Sequence, residues 1–428
     1  MDLDILTFKA KENKEGGDCR TQKLLETLTR DKDGCYTIRL PFKANASALQ
    51  SDFSSAFART KRIHDKLSME GCKEYYGVFD QHLQNGFLEE VKEMAKPGQL
   101  VHHLSHFGVE KEESKTTKLR PVMNASAKSR SGPSLNDLLE TGPDLLTDLL
   151  ALQLCIRCYS GLFLSDVKKA FYQIHIHPED RDACRIILPK NLERPLDQSN
   201  FQVFRFTSLI TTWSTSSPWV LLACFGHLCE EEAKAAEEKG GTQHGLTPAE
   251  LRALPQATYM DNIVGTYDSV EEGKRKVEGY KAVFKDAAME LREFASVDKD
   301  VVSSLPDASV HKDSSIRALS LIWDLEQDKF SLAPPKLQQL KAKNKPVEFI
   351  ICSDASAKAF GFIIFMKQGN KRPYEKRRVD ELLEYMDKAN VCFIGTKENP
   401  AYFATRPLKA NELTTDHLFY HGPNWKKE

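Results

Sequence analysis

Two stretches of this chain carry the most informative hydrophobic pattern. Between Gly161 and Ile176 the sequence runs GLFLSDVKKAFYQIHI. Leu162, Phe163 and Leu164 form a short apolar run, which predicts a buried strand with Asp166 at its end. Ala170, Phe171 and Ile174 then follow at the spacing of a helical turn. Further along, Tyr259-Met260-Asp261-Asn262 opens TYMDNIVGTYD, an apolar–acidic–apolar pattern. It predicts two short strands with a turn between them. Each stretch therefore presents a carboxylate at a strand end.

The surrounding pattern predicts a framework of helices and hairpins. Residues 1–100 read as mainly helical. Ser47 is a candidate cap for a helix whose apolar positions Leu49, Phe53, Phe57, Ile63 and Leu67 fall near one face, ending before Gly71. Ahead of it, GCYTIRLPF (Gly34 to Phe42) alternates like a strand. PWVLLACFGHLCEEEAKAAEEK reads as a helix that grows acidic and solvent-exposed. Its Glu230–Glu232 run, with Glu237 and Glu238, fits a solvated face, and Gly240-Gly241 breaks it. Thr247-Pro248-Ala249-Glu250 is a capping box with proline at the first helical position. The segment VEEGKRKVEGYKAVFKDAAMELREF predicts a helix, and Leu319 to Leu332 a hairpin. Residues 333–346, polar and proline-containing, read as a linker. Beyond them, VEFIICSDASAKAFGFIIFMKQ predicts two strands around Ser353-Asp354-Ala355-Ser356.

Composition narrows the class. The chain has 428 residues, 28% charged and 41% hydrophobic, as expected of a soluble globular protein with room for more than one domain. Its formal net charge is −1, so affinity for nucleic acid has to come from a local basic patch. Residues 114–133 are such a patch, with Lys115, Lys118, Arg120, Lys128 and Arg130 and no acid. Composition alone leaves open whether it is a phosphate-contacting loop or a solvated one. No apolar run approaches the ~20 residues of a membrane span. The N-terminus lacks the features of a signal peptide, so a cytoplasmic or nuclear setting is expected. Of ten cysteines, Cys155 and Cys158 form the one C-x-x-C. They sit in an apolar stretch with no partner pair, and buried, reduced thiols are expected.

The chemistry suggested by Asp166 and Asp261 is nucleotidyl transfer. That reaction uses two divalent ions held on carboxylates, one activating the attacking oxygen and one stabilising the leaving group. A single strand-end Asp is usually a cap or turn residue. A strand–Asp–helix followed by a Tyr-x-Asp hairpin is more specific.

These stretches belong to a longer series. YTIRLPF, YYGVFDQHLQNGFLEEV, KLRPVMNASAKSRSGPSLNDLLETGP, LFLSDVKKAFYQIHI, SSPWVLLA, YMDNIVG, MELREFAS, LIWD, FIICSDASAKAFGFIIF and TKENPAYFATRP follow in order, with a trailing HGPNW. In this the chain resembles, over nearly its whole length, the pol region of BEL/Pao-type long-terminal-repeat retrotransposons. The resemblance implies an α+β fold. A mainly helical lead-in (1–100) would precede a reverse-transcriptase fingers–palm module with a ferredoxin-like palm sheet (101–332). The linker 333–346 would replace the thumb and connection, and a truncated RNase H-like remnant would follow (347–428). Asp166 and Asp261 match the palm's metal-binding carboxylates, and Asn262 stands where a third is common. Lys118 and Arg120 match residues that grip the incoming triphosphate. Phe171 matches the aromatic that excludes a ribose 2′-hydroxyl, although its spacing suits a core aromatic equally well. Trp323-Asp324 resembles the primer-grip hairpin. The implied cofactor is Mg2+ or Mn2+, and the implied partners are an RNA/DNA primer–template and dNTPs.

The departures are also specific. SLITTWSTSSP lacks the family's glycine and carries the bulky Trp213 instead. Only Leu325 to Glu348 separate Asp324 from Phe349, so most of the duplex clamp is missing. In the RNase H piece Asp354 matches the first carboxylate, Tyr402 replaces the last, and the middle acids have no counterpart. The resemblance thus implies an RNA-directed DNA polymerase with weakened or lost activity. The alternatives are a non-catalytic nucleic-acid-binding remnant and a poorly folded transposon-derived chain.

Overall fold

The computed structural model describes residues 19–110, 119–128, 132–210, 216–332, 348–355, 360–368 and 371–374. It is a mixed α+β structure built from small sheets. The described residues open with α1 (Cys19–Glu26), β1 (Thr29–Arg30), β2 (Tyr36–Ile38), α2 (Phe53–Lys66) and α3 (Met69–Gln84). Strands β3 (Leu88–Glu90), β4 (Ser105–Glu110) and β5 (Leu119–Asn124) lead to the short helices α4 (Leu135–Leu138) and α5 (Leu149–Cys155). Then come β6 (Gly161–Val167), β7 (Ile174–Ile176), β8 (Arg185–Pro189) and β9 (Phe201–Phe206). Helices α6 (Ser216–Glu238) and α7 (Pro248–Ala253) precede β10 (Thr258–Tyr259) and β11 (Asn262–Tyr267). Helix α8 (Val270–Asp286) and β12 (Leu291–Ser296) follow. The last strands among the described residues are β13 (Ser315–Ala318), β14 (Leu321–Asp324), β15 (Lys329–Leu332), β16 (Glu348–Ala355), β17 (Phe360–Gln368) and β18 (Lys371–Tyr374). The chain divides into two compact units, Met1–Ser314 and Ser315–Glu428.

The first unit is organised around an antiparallel sheet in the order β10-β11-β6-β12. Its central strand β6 is apolar on both faces, and Leu162, Phe163, Leu164 and Val167 are all buried. Such a strand needs cover on each side. Helix α8 supplies part of it through Val277, Tyr280, Val283 and Phe284, which recur at helical spacing. Tyr280 meets Phe163 with ring centroids 5.5 Å apart, and Phe284 meets Phe225 of α6 at 5.2 Å. Gly265 of β11 lies opposite Phe163 in register. A Cβ there would fall 2.0 Å from the Phe163 ring, so the close approach requires glycine.

Smaller sheets join the early chain to this centre. β2 pairs parallel with β7, Tyr36 opposite Ile174. Residues 1–100 therefore contribute strand as well as helix. The other sheets are β3-β9-β8 and the β4–β5 pair.

Several expectations from the pattern are corrected. Helix α2 starts at Phe53 rather than at a Ser47 cap, since Ala46–Ala48 is a separate 3-10 turn and Asp52 adopts a left-handed φ of 51°. Gly71 does not end a helix. Leu67 turns extended, and Ser68 then caps α3 by accepting a hydrogen bond from Gly71 N at 3.1 Å. The segment LREF is strand, not helix, because α8 stops at Asp286 and Ala288 takes φ 54°. Part of the basic segment is also a strand. Leu119–Asn124 pairs with β4, placing Arg120 opposite Val109. Glu232 does not belong to a solvated face but is buried within α6. Cys155 is half-buried and Cys158 exposed, both as free thiols. The capping box forms as expected, with Thr247 Oγ1 accepting from Glu250 N at 3.2 Å and Glu250 Oε2 accepting from Thr247 N at 2.9 Å.

In the second unit the expected hairpin forms as β14–β15, with β13 completing a three-stranded sheet. Trp323 stacks on Phe330 at 5.4 Å, and its Nε1 donates to Asp328 Oδ1 at 2.9 Å. The two strands around Ser353-Asp354 also form, as β16 and β17, with Asp354 opposite Gly361. The linker 333–346, Trp213 and Tyr402 lie outside the described residues. No helix among the described residues is long and apolar enough to cross a membrane.

Candidate metal-binding carboxylate pair

Strand β6 delivers Asp166 to one end of the central sheet, flanked on both sides. Asn262 of β11 and Arg292 of β12 are its cross-strand partners. Asp261 precedes Asn262 in the two-residue connection between β10 and β11, where Tyr259 pairs with Asn262. Met260, the first residue of that connection, has φ 58°. Such a conformation in a non-glycine residue costs about 1 kcal/mol or more, so neighbouring contacts must hold it. One is a hydrogen bond from Val167 N to Asp261 O at 2.9 Å, which ties the turn to the end of β6. The bulge in β12 after Arg292, with Glu293 at φ 53°, re-aims that strand beside the site.

The electrostatics follow from this convergence. Burial, and next the negative charge of Asp261, push the Asp166 carboxyl up to about 6. Arg292 opposes the shift, its Nε donating to Asp166 Oδ1 at 3.0 Å. Asn262 Nδ2 donates to Asp261 Oδ1 at 3.0 Å. One oxygen of each carboxylate is therefore engaged by a local donor. Two carboxylates repelling each other at the end of a buried strand form a donor set that fits a hard divalent cation.

The other expected residues are placed separately. Phe171 lies in the 3-10 turn Ala170–Gln173 directly after β6 and packs, partly buried, against the core. Before it, Lys168 pairs with Glu290 at 2.7 Å, and Lys169 sits 5.1 Å from the Phe87 ring centroid. Arg120 lies on β5, in a different sheet from Asp166. Lys118 lies outside the described residues. Asp354 is on β16 in the second unit.

Arg292 is the residue that the pattern reading missed. The helix expected over VEEGKRKVEGYKAVFKDAAMELREF takes in Arg292, which hides the fact that Arg292 lies opposite Asp166 in a ladder. No alternation marks the strand, because β12 is bulged after Arg292 and buries Leu291 and then Phe294, Ala295 and Ser296 in succession.

No family model and no curated protein matches the chain. Among solved structures it is similar to the "foamy viral protease-reverse transcriptase dRH in complex with ds DNA", at TM-score 0.39 and 14% identity. That likeness covers 60% of this chain and 34% of the other, so this chain spans about a third of the viral protein's length.

Proposed function

We propose that this chain is a retrotransposon-derived reverse-transcriptase domain. In this reading the β10-β11-β6-β12 sheet serves as the palm, and two-metal nucleotidyl transfer is weakened or lost. The observation that carries the proposal is the meeting of Asp166 with the Asp261-Asn262 turn across adjacent strands. It is the arrangement that the ordered motifs around LFLSDVKKAFYQIHI and YMDNIVG imply. Asp166 and Asp261 would hold Mg2+ or Mn2+, which when bound lowers the charge barrier to attack and stabilises the leaving pyrophosphate. Asn262 contributes a neutral amide and so holds the ion less strongly than a third carboxylate. Lys118 and Arg120 would meet the triphosphate of a dNTP, where a guanidinium suits bidentate binding. Phe171 would exclude a ribose 2′-hydroxyl.

A second reading, a non-catalytic remnant that binds an RNA/DNA primer–template, is favoured by one observation. Arg292 already engages Asp166 Oδ1 through a direct ion pair at 3.0 Å, so a metal ion has to compete with a guanidinium for that carboxylate. The RNase H piece fits the same reading, since Asp354 alone matches its ligand set and a single carboxylate binds Mg2+ poorly.

Primer extension on an RNA template, run beside primer–template binding at several salt concentrations, tests both. Weak extension that disappears in Asp166→Asn supports the polymerase reading. Salt-sensitive binding without extension supports the remnant. Extension that persists unchanged in Asp166→Asn refutes the assigned site, and absence of any primer–template binding refutes both readings.

A further inference from the structure

A second cluster lies on other elements, and nothing in the polymerase reading uses it. Glu232 of α6, His244 of the α6–α7 connection and Asp286 at the end of α8 bring one ligand atom each within 4.8 Å of the others. We propose that these three side chains bind a divalent transition-metal ion, Zn2+ foremost. The proposal does not depend on the polymerase reading.

The decisive observation is Glu232. Its side chain is only 8% exposed, and its Oε2 is fully buried without a hydrogen-bond partner. A buried carboxylate oxygen left alone is costly. This one points into the cluster, 3.6 Å from His244 Nε2. The same Nε2 lies 2.7 Å from Asp286 Oδ2 and 3.4 Å from Gln243 Nε2. A protonated imidazole nitrogen carries one hydrogen, and Asp286 takes it, so an ion pair alone leaves Glu232 Oε2 unserved. A cation among the three serves both carboxylates and the imidazole nitrogen. One imidazole with two carboxylates suits Zn2+ and its transition-metal neighbours, whereas Mg2+ prefers oxygen ligands alone. Three protein ligands would leave a further position for water.

The backbone around the cluster is held for this geometry. Gln243 and Leu246 exchange both backbone hydrogen bonds at 2.9 Å, closing a two-residue turn. His244 and Gly245 occupy its centre at φ 54° and 77°, the left-handed pair that such a turn requires. Arg275 of α8 fixes the turn by donating from Nη1 to Gly245 O at 2.7 Å. On the other side, Arg30 Nη2 donates to Asp286 O. Gly34 packs so closely on that carbonyl that a Cβ would fall 2.1 Å from it. The His244 turn and the end of α8 are thus set by contacts outside the cluster.

The test is a Zn2+ titration of the purified full chain against a competing chromophoric chelator, with Zn K-edge X-ray absorption on the loaded protein. The wild type should take up an equivalent of Zn2+ that is lost in both His244→Asn and Glu232→Gln. Affinity should fall by more than ~10-fold, the smaller loss expected when only an outer-shell partner is removed. The absorption edge should report nitrogen and oxygen ligands without sulfur, and Cys35→Ser should retain the equivalent. Zn2+ should raise the thermal midpoint of the wild type and not of either variant. Equal uptake by wild type and both variants would overturn the proposal. So would sulfur in the coordination sphere that vanishes in Cys35→Ser, since that would move the ion to Asp31, Cys35 and His175, the other cluster of suitable geometry among the described residues.

Discussion

Arg292 Nε lies 3.0 Å from Asp166 Oδ1, on the carboxyl whose pKa is raised to about 6. The ion pair does not cancel the penalties of burial and of the neighbouring Asp261, because the net shift is still upward. A carboxyl raised above its unfolded value of about 3.9 destabilises the fold once it is ionised. The penalty is absent below pH ~4, grows as pH rises, and is complete above the folded value of about 6.

Asp166→Asn should therefore stabilise the chain at pH 8 and not at pH 4. The shift sets a ceiling of about 3 kcal/mol, and partial exposure with loss of the Arg292 pair reduces the expected gain to roughly 1 kcal/mol. Urea melts at the two pH values measure it. A variant less stable than wild type at pH 8 would show that the Arg292 pair outweighs the burial penalty.

Arg292→Met removes the cation that lowers the Asp166 carboxyl. Asp166 should then hold its proton to a pH above its present value of about 6, read as the midpoint of its side-chain carboxyl resonance in a 13C NMR titration. At pH 8 the same variant should bind Mn2+ more tightly than wild type, because the ion no longer competes with a guanidinium.

Asn262→Asp places a carboxylate directly opposite Asp166 and beside Asp261. Like charges facing each other across a ladder are unfavourable, by up to ~1 kcal/mol. Without metal, the variant should be less stable than wild type at pH 8, and millimolar Mn2+ should reverse the difference in a thermal melt.

Gly265→Ala tests the packing that positions the site. Its Cβ would collide with the Phe163 ring at 2.0 Å, and overpacking of this kind costs about 1–3 kcal/mol. Adding Phe163→Leu should recover part of the loss. A Gly265→Ala chain as stable as wild type would mean that the two strands can separate without penalty.

Local pattern made much of this fold legible. The Tyr259 hairpin, the Thr247 capping box and the paired strands around Ser353-Asp354 each depend on residues close in sequence, so periodicity and turn chemistry report them directly. The placement of Asp166 at a strand end and of Asp261 in a turn is legible for the same reason. What was not legible depends on contacts between distant segments. Ser47 is as good a cap as Ser68, and only packing decides which is used. LREF can continue a helix until β6 offers it a ladder, and that ladder is what brings Arg292 to Asp166. Glu232 belongs to an acidic run that looks solvated, yet the His244 turn and the end of α8 close over it. Lys118, Trp213 and Tyr402 lie outside the described residues, so their expected roles rest on the resemblance alone.

The most direct measurement is an electron paramagnetic resonance titration with Mn2+ at pH 8. It is made in a His244→Asn background so that the Glu232 cluster is silent. The account predicts saturable Mn2+ binding that weakens by more than ~10-fold in Asp166→Asn and again in Asp261→Asn, as expected when a metal loses one of two carboxylate ligands. Binding of equal strength in all three chains would contradict the assignment of Asp166 and Asp261 as a metal-holding pair.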